Sequence, residues 1–393
     1  MKVVQLNTTC DKGSTGKICK AISQMLSREG IENYIFYTHG SSDYPLGIKY
    51  AGGFYRKWQA LKSRVLGNYG FNSQWATRKL IRELQQIRPD IVHIHNIHGH
   101  DCDLSMLFRY LKRKRIKVIW TFHDCWAFTG LCTYFDFVGC SKWKDGCRDC
   151  PQRKQYSWFL DRSSRMYSRK KELLKDMDLT IVTPSRWLAD LVGESFLKKH
   201  PVNVINNGID LSVFQPTVGK IADRFSDGKN ILLGVAFDWE ERKGLDVFLK
   251  LAQRMGPEYR IVLVGTDDAV DKNLPDNIIS IHRTQDQKEL AQLYSAATVL
   301  INVSREDNYP TINMEALACG TPVLTFRTGG SPEIPDDTCG SVVDKDDLDA
   351  LEREIYRICT ERPYSESACL RRASMFDQEK RFEQYLELYR SMQ

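Results

Sequence analysis

The chain has 393 residues, 42% hydrophobic and 27% charged, a composition that fits an ordinary globular protein of two domains. No apolar run approaches the roughly eighteen residues of a membrane span, and MKVVQLNTT is too short an apolar stretch for a signal peptide, so a cytoplasmic protein is expected. The net charge of +6 divides into +16 for residues 1–200 (34 basic against 18 acidic) and −10 for the rest (22 against 32), which argues against a uniform nucleic-acid coat and for one basic face meeting an anionic surface.

Lys2–Leu6 reads as a first strand and Asn7–Thr15 as a polar loop. Ile18, Ile22, Met25 and Leu26 then recur at helical spacing up to Gly30. The loop DKGSTGK is not a Walker-type phosphate loop, because Ile18 stands where Ser or Thr must hold magnesium. Over Gly53–Tyr69, Phe54, Trp58, Leu61 and Val65 form one helical stripe among Arg56, Lys57, Lys62 and Arg64. That is the pattern of a helix lying on a membrane surface, and equally of one facing a core. Arg109–Lys117 (RYLKRKRIK) adds a second basic patch of the same kind.

A helix over 73–87 and a strand over Asp90–His95 follow. His93, His95, His98 and His100 are not read as a metal cluster, since strand alternation separates neighbours and no Cys or acid completes a known spacing. His95, Asn96 and His98 are expected instead in a strand-end loop on the acceptor side of a ligand cleft. The strand Lys117–Phe122 ends at His123, a position where doubly wound sheets bind ligands.

Seven of the twelve cysteines (Cys10, Cys19, Cys102, Cys319, Cys339, Cys359 and Cys369) are scattered and read as small buried residues in a reducing compartment. The other five crowd into residues 125–150. Within that loop, Cys132-x7-Cys140-x6-Cys147-x2-Cys150 is good spacing for one structural zinc. A redox pair at Cys147 and Cys150 is the rival reading, and Cys125 is the spare thiol. Four thiolates would leave such a metal no open position for catalysis.

Tyr156–Lys175 reads as a basic helix, Leu179–Thr183 as a strand, Ser185–Leu197 as a helix, and Val202–Ile205 as a strand before Asn206-Asn207-Gly208-Ile209-Asp210. The domain boundary is expected near 208–225. The second half opens with strand Ile231–Phe237 and a loop, Asp238–Gly244. Strands Arg260–Val264 and Ser280–Arg283 lead to Gly265 and Thr284, turns suited to backbone contacts with a nucleobase. The final segment, Phe376–Tyr389, is amphipathic.

Residues Ile301–Ile334 concentrate the chemistry. A strand over Thr298–Val303 meets a polar loop, then Pro310, then a helix over Thr311–Cys319 that stops at Gly320 ahead of Pro322. Asp307 precedes the helix and Glu315 lies one turn inside it, with seven residues between them. Backbone N–H groups of residues 308–311 (Asn308, Tyr309, Pro310, Thr311) are expected to face the same cleft as an anion site. Carboxylates beside an anion site suit a ligand with both hydroxyls and phosphate, such as a nucleotide sugar.

Asp307, Glu315, Ala316–Val323 and Gly329–Glu333 together resemble the C-terminal signature of family 4 of the retaining glycosyltransferases. The resemblance implies an α/β GT-B fold, with two Rossmann-like doubly wound domains facing across a cleft. The expected domains are 1–208 for the acceptor, 209–375 for the nucleotide sugar, and a C-terminal helix, 376–393, crossing back to the first. It implies that the first acid binds donor sugar hydroxyls and the second the donor ribose. The first acid is usually Glu. Spacing assigns it here to Asp307, with Glu306 the alternative.

The resemblance also sets Gly13, Ser14, Thr15 and Gly16 across the cleft, with the glycines approaching the donor phosphates. Lys243-Gly244 match the family's Lys-Gly pair, but Asp238 stands at its arginine position, so Lys243 and the displaced Arg242 are expected to hold the diphosphate. The HDCWAFTG run resembles a bacterial exopolysaccharide and capsule subgroup and implies that His123 touches the donor sugar in the transition state. The activity implied is metal-independent hexosyl transfer to a glycan acceptor, often lipid-linked, on the inner face of a membrane, with no nucleic acid partner. Asp-x-Asp triplets (Asp101/Asp103, Asp176/Asp178, Asp347/Asp349) fall in predicted helices or helix starts, away from this signature. The rival readings are a nucleotide-sugar epimerase or hydrolase and a zinc-stabilised nucleic-acid-binding protein.

Overall fold

Strands such as VVQL, IVHI and TIVT are apolar almost throughout rather than alternating, which suits parallel sheets covered by helices on both faces. The computed structural model describes residues 1–219, 225 and 227–392, and contains two such sheets. The chain divides into two compact units: Met1–Ile205 together with the segment from Phe382 on, and Asn206–Arg381. Of the expected boundary stretch 208–225, residues 220–224 lie outside the described residues.

In the first unit, strands β1 (Lys2–Leu6), β2 (Glu32–Tyr37), β3 (Gly47–Lys49), β4 (Ile91–Ile94), β5 (Lys117–Thr121), β6 (Leu179–Thr183) and β7 (Val202–Val204) form one sheet in the order β3-β2-β1-β4-β5-β6-β7. Every pairing is parallel. The second sheet takes β8 (Asn230–Val235), β9 (Tyr259–Val264), β10 (Ile278–Ile281), β11 (Val299–Asn302), β12 (Val323–Phe326) and β13 (Gly340–Val343) in the order β10-β9-β8-β11-β12-β13, again all parallel. The direction of winding reverses between β1 and β4 in one sheet and between β8 and β11 in the other. Ligands of open α/β sheets bind outside the carboxyl ends of the strands at such a switch point.

The terminal helix, Gln378–Ser391, belongs to the first unit from Phe382 on. Phe382, Tyr385, Leu386 and Tyr389 bury themselves against Val3, Ile22, Ile91 and Ile119, and the Tyr389 hydroxyl lies 2.6 Å from His93 Nδ1. This is the returning helix expected from the sequence.

Three sequence expectations need correction. Residues 156–175 are not one helix: a short turn of helix, Arg153–Tyr156, is separated from Ser163–Leu174 by an extended segment. There Trp158 N–H donates to the Arg64 carbonyl at 2.8 Å, and Asp161 accepts from the Cys150 and Ser163 backbone amides. Those bonds compete with helix formation. The strand expected at Ser280–Arg283 lies earlier, at Ile278–Ile281, so His282 and Arg283 belong to the loop beyond it. Asp176 and Asp178 lie in the turn between a helix and β6, not in a helix.

Candidate active site

The second sheet's switch point is occupied by a charged corner. Beyond β8, a single turn of 3-10 helix, Glu241–Lys243, ends at Gly244. Beyond β11, the loop 304–309 leads into the helix Thr311–Ala318. Lys243 Nζ donates to Asp307 Oδ2 at 2.7 Å, each side chain about one-fifth exposed at 20%. Glu306, by contrast, is 4% exposed, so Asp307 is the more accessible of the two acids. Gly329, at φ +53, lets the Gly-Gly segment close on this loop, since a Cβ there would stand 1.6 Å from the Asp307 carbonyl oxygen.

Arg305 pins the two loops together. Its guanidinium donates two bonds to Asp246, at 2.7 and 2.8 Å, one to Asp346 at 2.7 Å, and one to the Glu241 carbonyl. Its backbone N–H donates to the Arg242 carbonyl at 2.9 Å. The Arg305 bonds hold the Asp246 carboxyl below its usual range against the opposing effect of burial. Lys243 and Asp307 are therefore brought side by side by a buried neighbour rather than by their own attraction, which is weak for partly exposed ions.

Glu315 accepts from the Tyr294 hydroxyl at 2.9 Å. Burial first, and then the Glu315 carboxylate, push the Tyr294 hydroxyl well above its ordinary pKa, so it remains a donor. Pro310 has no N–H, and its φ of −71 sets the turn into the helix, so the expected anion tip consists of Asn308, Tyr309 and Thr311 at most. Tyr309 offers only its backbone, because its ring is buried in the core and stands edge-on to Phe376 at 6.5 Å.

A cavity of about 920 Å³ opens at the carboxyl ends of β8, β9 and β10, lined by residues that include Phe237, Asp238, Gly265, Asp267, Arg283 and Thr284. Gly265, at φ +92, is obligatory there, since a Cβ would meet the Ala236 carbonyl oxygen at 1.7 Å. Phe237 is 80% exposed, with the Arg283 guanidinium 5.7 Å from its ring centre. Lys243 and Asp307 do not line this cavity, but Trp239 and Glu240, from the loop that carries Lys243, do.

At the first sheet's switch point stands a stack of three imidazoles. The His93 and His95 ring centres are 4.0 Å apart, and those of His95 and His123 are 5.4 Å apart. Contrary to the separation expected from the sequence, strand alternation sends i and i+2 to one face, so His93 and His95 share a face. Burial lowers the His93 pKa to about 3 and that of His123 to about 4, and holds His95 well below its usual value. His98 behaves differently. Burial opposes its charge, but Asp124, 3.0 Å away, outweighs this and raises its pKa.

Compared with known proteins, residues 16–213 match the family model described as Glycosyltransferase Family 4, and residues 229–361 the one described as Glycosyl transferases group 1. The chain belongs to glycosyltransferase family 4. It is 24% identical over 375 residues to the putative colanic acid biosynthesis glycosyl transferase WcaC of Escherichia coli K12, spanning 88% of each chain. Over 222 residues it is 23% identical to D-inositol 3-phosphate glycosyltransferase of Mycobacterium sp. strain KMS, which covers 52% of this chain and 49% of that one. Among solved structures it shares the fold of sucrose-phosphate synthase from Thermosynechococcus elongatus, with a TM-score of 0.71 at 16% identity over 100% and 98% of the two chains. It also shares the fold of Anabaena HepE in complex with UDP, with a TM-score of 0.70 at 14% identity over 100% of both. These are the two-sheet GT-B folds that the signature implied.

Within this glycosyltransferase, several expected residues have other employment. Gly16 is buried, and a Cβ there would press on Thr9 Oγ1 at 2.7 Å, so its smallness serves packing inside its own loop rather than an approach to phosphate. Gly13 opens the helix Gly13–Arg28 at φ +70, with Ser14 and Thr15 in its first turn. His95 is 1% exposed with both ring nitrogens engaged, Nδ1 by His123 at 3.1 Å and Nε2 by Gln5 at 3.1 Å, so it reaches a ligand only through His123. Asn96 and His98 are half-buried in the loop after β4. Arg242 holds Arg305 through its carbonyl. Sequence reasoning missed Arg305 itself, whose only sign was a basic residue inside an otherwise acidic loop.

Cys132, Cys140, Cys147 and Cys150 line one small cavity together with Phe135 and Trp143. Burial raises the Cys132 thiol to about 12 and the Cys147 thiol to about 11, with the neighbouring cysteines adding to both. None of the twelve cysteines is in a disulfide, and among the described residues no three His, Cys, Asp or Glu side chains are arranged to hold a metal ion.

The helix Gly53–Leu66 turns its apolar stripe outward: Phe54 is 87% exposed, Trp58 59% and Leu61 44%. The core-facing alternative is thereby excluded. Arg56 does not belong to the surrounding basic surface, because it turns inward to Asp101 at 3.2 Å. The segment that broke the expected helix adds Trp158, Phe159 and Leu160, all exposed, with Trp158 held against Arg64. Arg109 and Lys112–Arg115, though exposed, precede the amino end of β5, at the opposite end of the sheet from His123.

Proposed function

We propose that this glycosyltransferase moves a hexosyl group from a nucleotide-sugar donor to a lipid-linked glycan acceptor in polysaccharide assembly, with retention of configuration and no catalytic metal. The observation that carries this reading is the Lys243–Asp307 pair at the β8/β11 switch point, a cation suited to a leaving diphosphate beside a carboxylate suited to sugar hydroxyls. The name of the E. coli relative supports an exopolysaccharide or capsule product, and the HepE complexes with UDP and UDP-glucose support a nucleotide-sugar donor.

In this mechanism the bond between the anomeric carbon and the β-phosphate oxygen breaks, and the acceptor hydroxyl oxygen bonds to the same face of that carbon. The acceptor proton passes to the departing phosphate. Lys243, with Arg242 and the amino end of the helix Thr311–Ala318, stabilises the growing negative charge. Asp307 accepts from donor hydroxyls and Glu315 from the ribose. Gly13, Ser14 and Thr15 meet the donor phosphates, and the cavity at Gly265 and Thr284 takes the base. His123 meets the sugar, while Asn96 and His98 meet the acceptor.

The outward stripe Phe54–Trp58–Leu61, with Lys57, Lys62 and Arg64 around it, docks the protein on an anionic membrane face. Cys132, Cys140, Cys147 and Cys150, which line one small cavity, would have to draw together to hold one structural zinc. Metal analysis of reduced protein tests this, and absence of zinc removes it in favour of a redox pair. A thermal-shift panel of nucleoside diphosphates and nucleotide sugars tests the transfer reading, since a ligand at a hundred times its Kd adds roughly 2.7 kcal/mol. The matching ligand stabilises the protein, and Glu315→Ala abolishes the shift. If no member of the panel stabilises the protein, the reading fails.

A further inference from the structure

Gln5, in the middle of β1, is fully buried and makes two hydrogen bonds of fixed direction. Its amide Nε2 donates to the Cys19 carbonyl at 3.0 Å. The amide oxygen is thereby left facing His95 Nε2 at 3.1 Å. An amide oxygen only accepts, so His95 carries its proton on Nε2. A neutral imidazole has a single N–H, so His95 Nδ1 is an acceptor. It faces His123 Nε2 at 3.1 Å, which must therefore donate. The only nitrogen lone pair left to a neutral His123 is on Nδ1.

The neighbours reinforce this. The His93 ring packs 4.0 Å from His95, with its nitrogens engaged by Tyr389 at 2.6 Å and Thr121 at 2.8 Å, so it does not compete for His95. Trp120 Nε1 donates to the His95 carbonyl at 3.0 Å and fixes the backbone. Burial keeps His95 and His123 uncharged near neutrality.

We propose that Gln5 is a positioning residue that, through His95, locks His123 into its Nε2–H form, so that His123 presents an uncharged acceptor to its ligand. The proposal rests on the reading that His123 meets the donor sugar, and it narrows that sugar's chemistry. The partner of His123 is a neutral hydroxyl donor, as in an unmodified hexose, and the ring brings no cation to attract the carboxylate of a uronic acid.

The test uses full-length protein labelled with ¹⁵N-histidine, with the His123 signals identified by His123→Ala. Long-range ¹H–¹⁵N correlation at pH 7 should show His123 protonated on Nε2 alone. Protonation on Nδ1, or on both nitrogens, overturns the proposal in the wild-type protein without any variant. Gln5→Met removes the acceptor and should release the proton to both nitrogens. An unchanged His123 in Gln5→Met overturns the role of Gln5. With the sugar reading also correct, Gln5→Met lowers kcat about ten-fold, the worth of one hydrogen bond, while affinity for the nucleoside diphosphate alone is kept. If the tautomer shifts but transfer is untouched, the relay stands and it is the placing of His123 at the sugar that falls.

Discussion

The two switch points hold their polar groups by opposite means. In the first sheet, His93 and His95 are buried and His123 is half-buried beside them, and loss of solvent lowers the pKa of each. In the second, Lys243 is paired with Asp307, and Arg305 with Asp246 and Asp346, so every group faces an opposite charge. One topology, used twice, thus offers direction without charge at one place and charge with modest direction at the other.

The charged corner should be the more sensitive. Lys243→Ala removes the cation at the leaving group and should cost about 10²–10³ in kcat, the scale for losing one preorganised donor to developing charge. Steady-state kinetics check this, and a loss confined to KM would mean uniform binding instead. Arg305→Met should act on stability first. It leaves Asp246 and Asp346 without their cation and costs roughly 3 kcal/mol, toward the low end for a broken buried pair because both carboxylates are partly exposed. Denaturant unfolding measures it, and a loss under about 1 kcal/mol, the scale of an exposed pair, would show that Arg305 does not brace the corner.

Much of this corner was legible in the sequence. Pro310, Gly320 and Pro322 bounded the helix, and the seven residues between Asp307 and Glu315 located the acids. Both sheets were legible too, because parallel strands are short apolar runs between helical periods. What escaped were long-range hydrogen bonds. Nothing local to Arg305 announces Asp246 and Asp346, and nothing in QLN announces that Gln5 faces His95 across the sheet. The Trp158–Leu160 segment was misread as helix because its composition allows one, and it is the Arg64 carbonyl, distant in sequence, together with the Asp161 bonds to the Cys150 and Ser163 amides, that tells otherwise.

The neutral stack makes a prediction of opposite sign. The folded-state pKa of His93 is lowered from 6.5 to about 3 and that of His123 to about 4, so the unfolded chain takes up protons that the folded one refuses. Stability is then full above pH 6.5 and falls as the pH drops from 6.5 toward 4, by roughly 1–2 kcal/mol per ring on reaching pH 5. The raised His98, paired with Asp124, works the other way: its share is present at low pH and fades as the pH rises past its folded value. Thermal unfolding from pH 7 to pH 5 checks the balance. His93→Gln should flatten the slope, and an unchanged slope would mean that the rings are solvated.

The smallest effect expected is at the outward helix, yet it separates the two ends of the first unit most cleanly. Phe54 and Trp58 sit on a stripe ringed by Lys57, Lys62 and Arg64, while the basic run Lys112–Arg115 precedes the amino end of β5. If the helix is what touches lipid, Phe54→Ser and Lys62→Glu should each weaken sedimentation with anionic vesicles by about 1 kcal/mol, or roughly five-fold. Arg113→Glu makes the same reversal of charge at the other end and should change little, whereas a general attraction to the basic half would make the two charge reversals alike. Raising salt should weaken the contribution of Lys62 and spare that of Phe54, because screening acts on charge and leaves buried apolar area untouched.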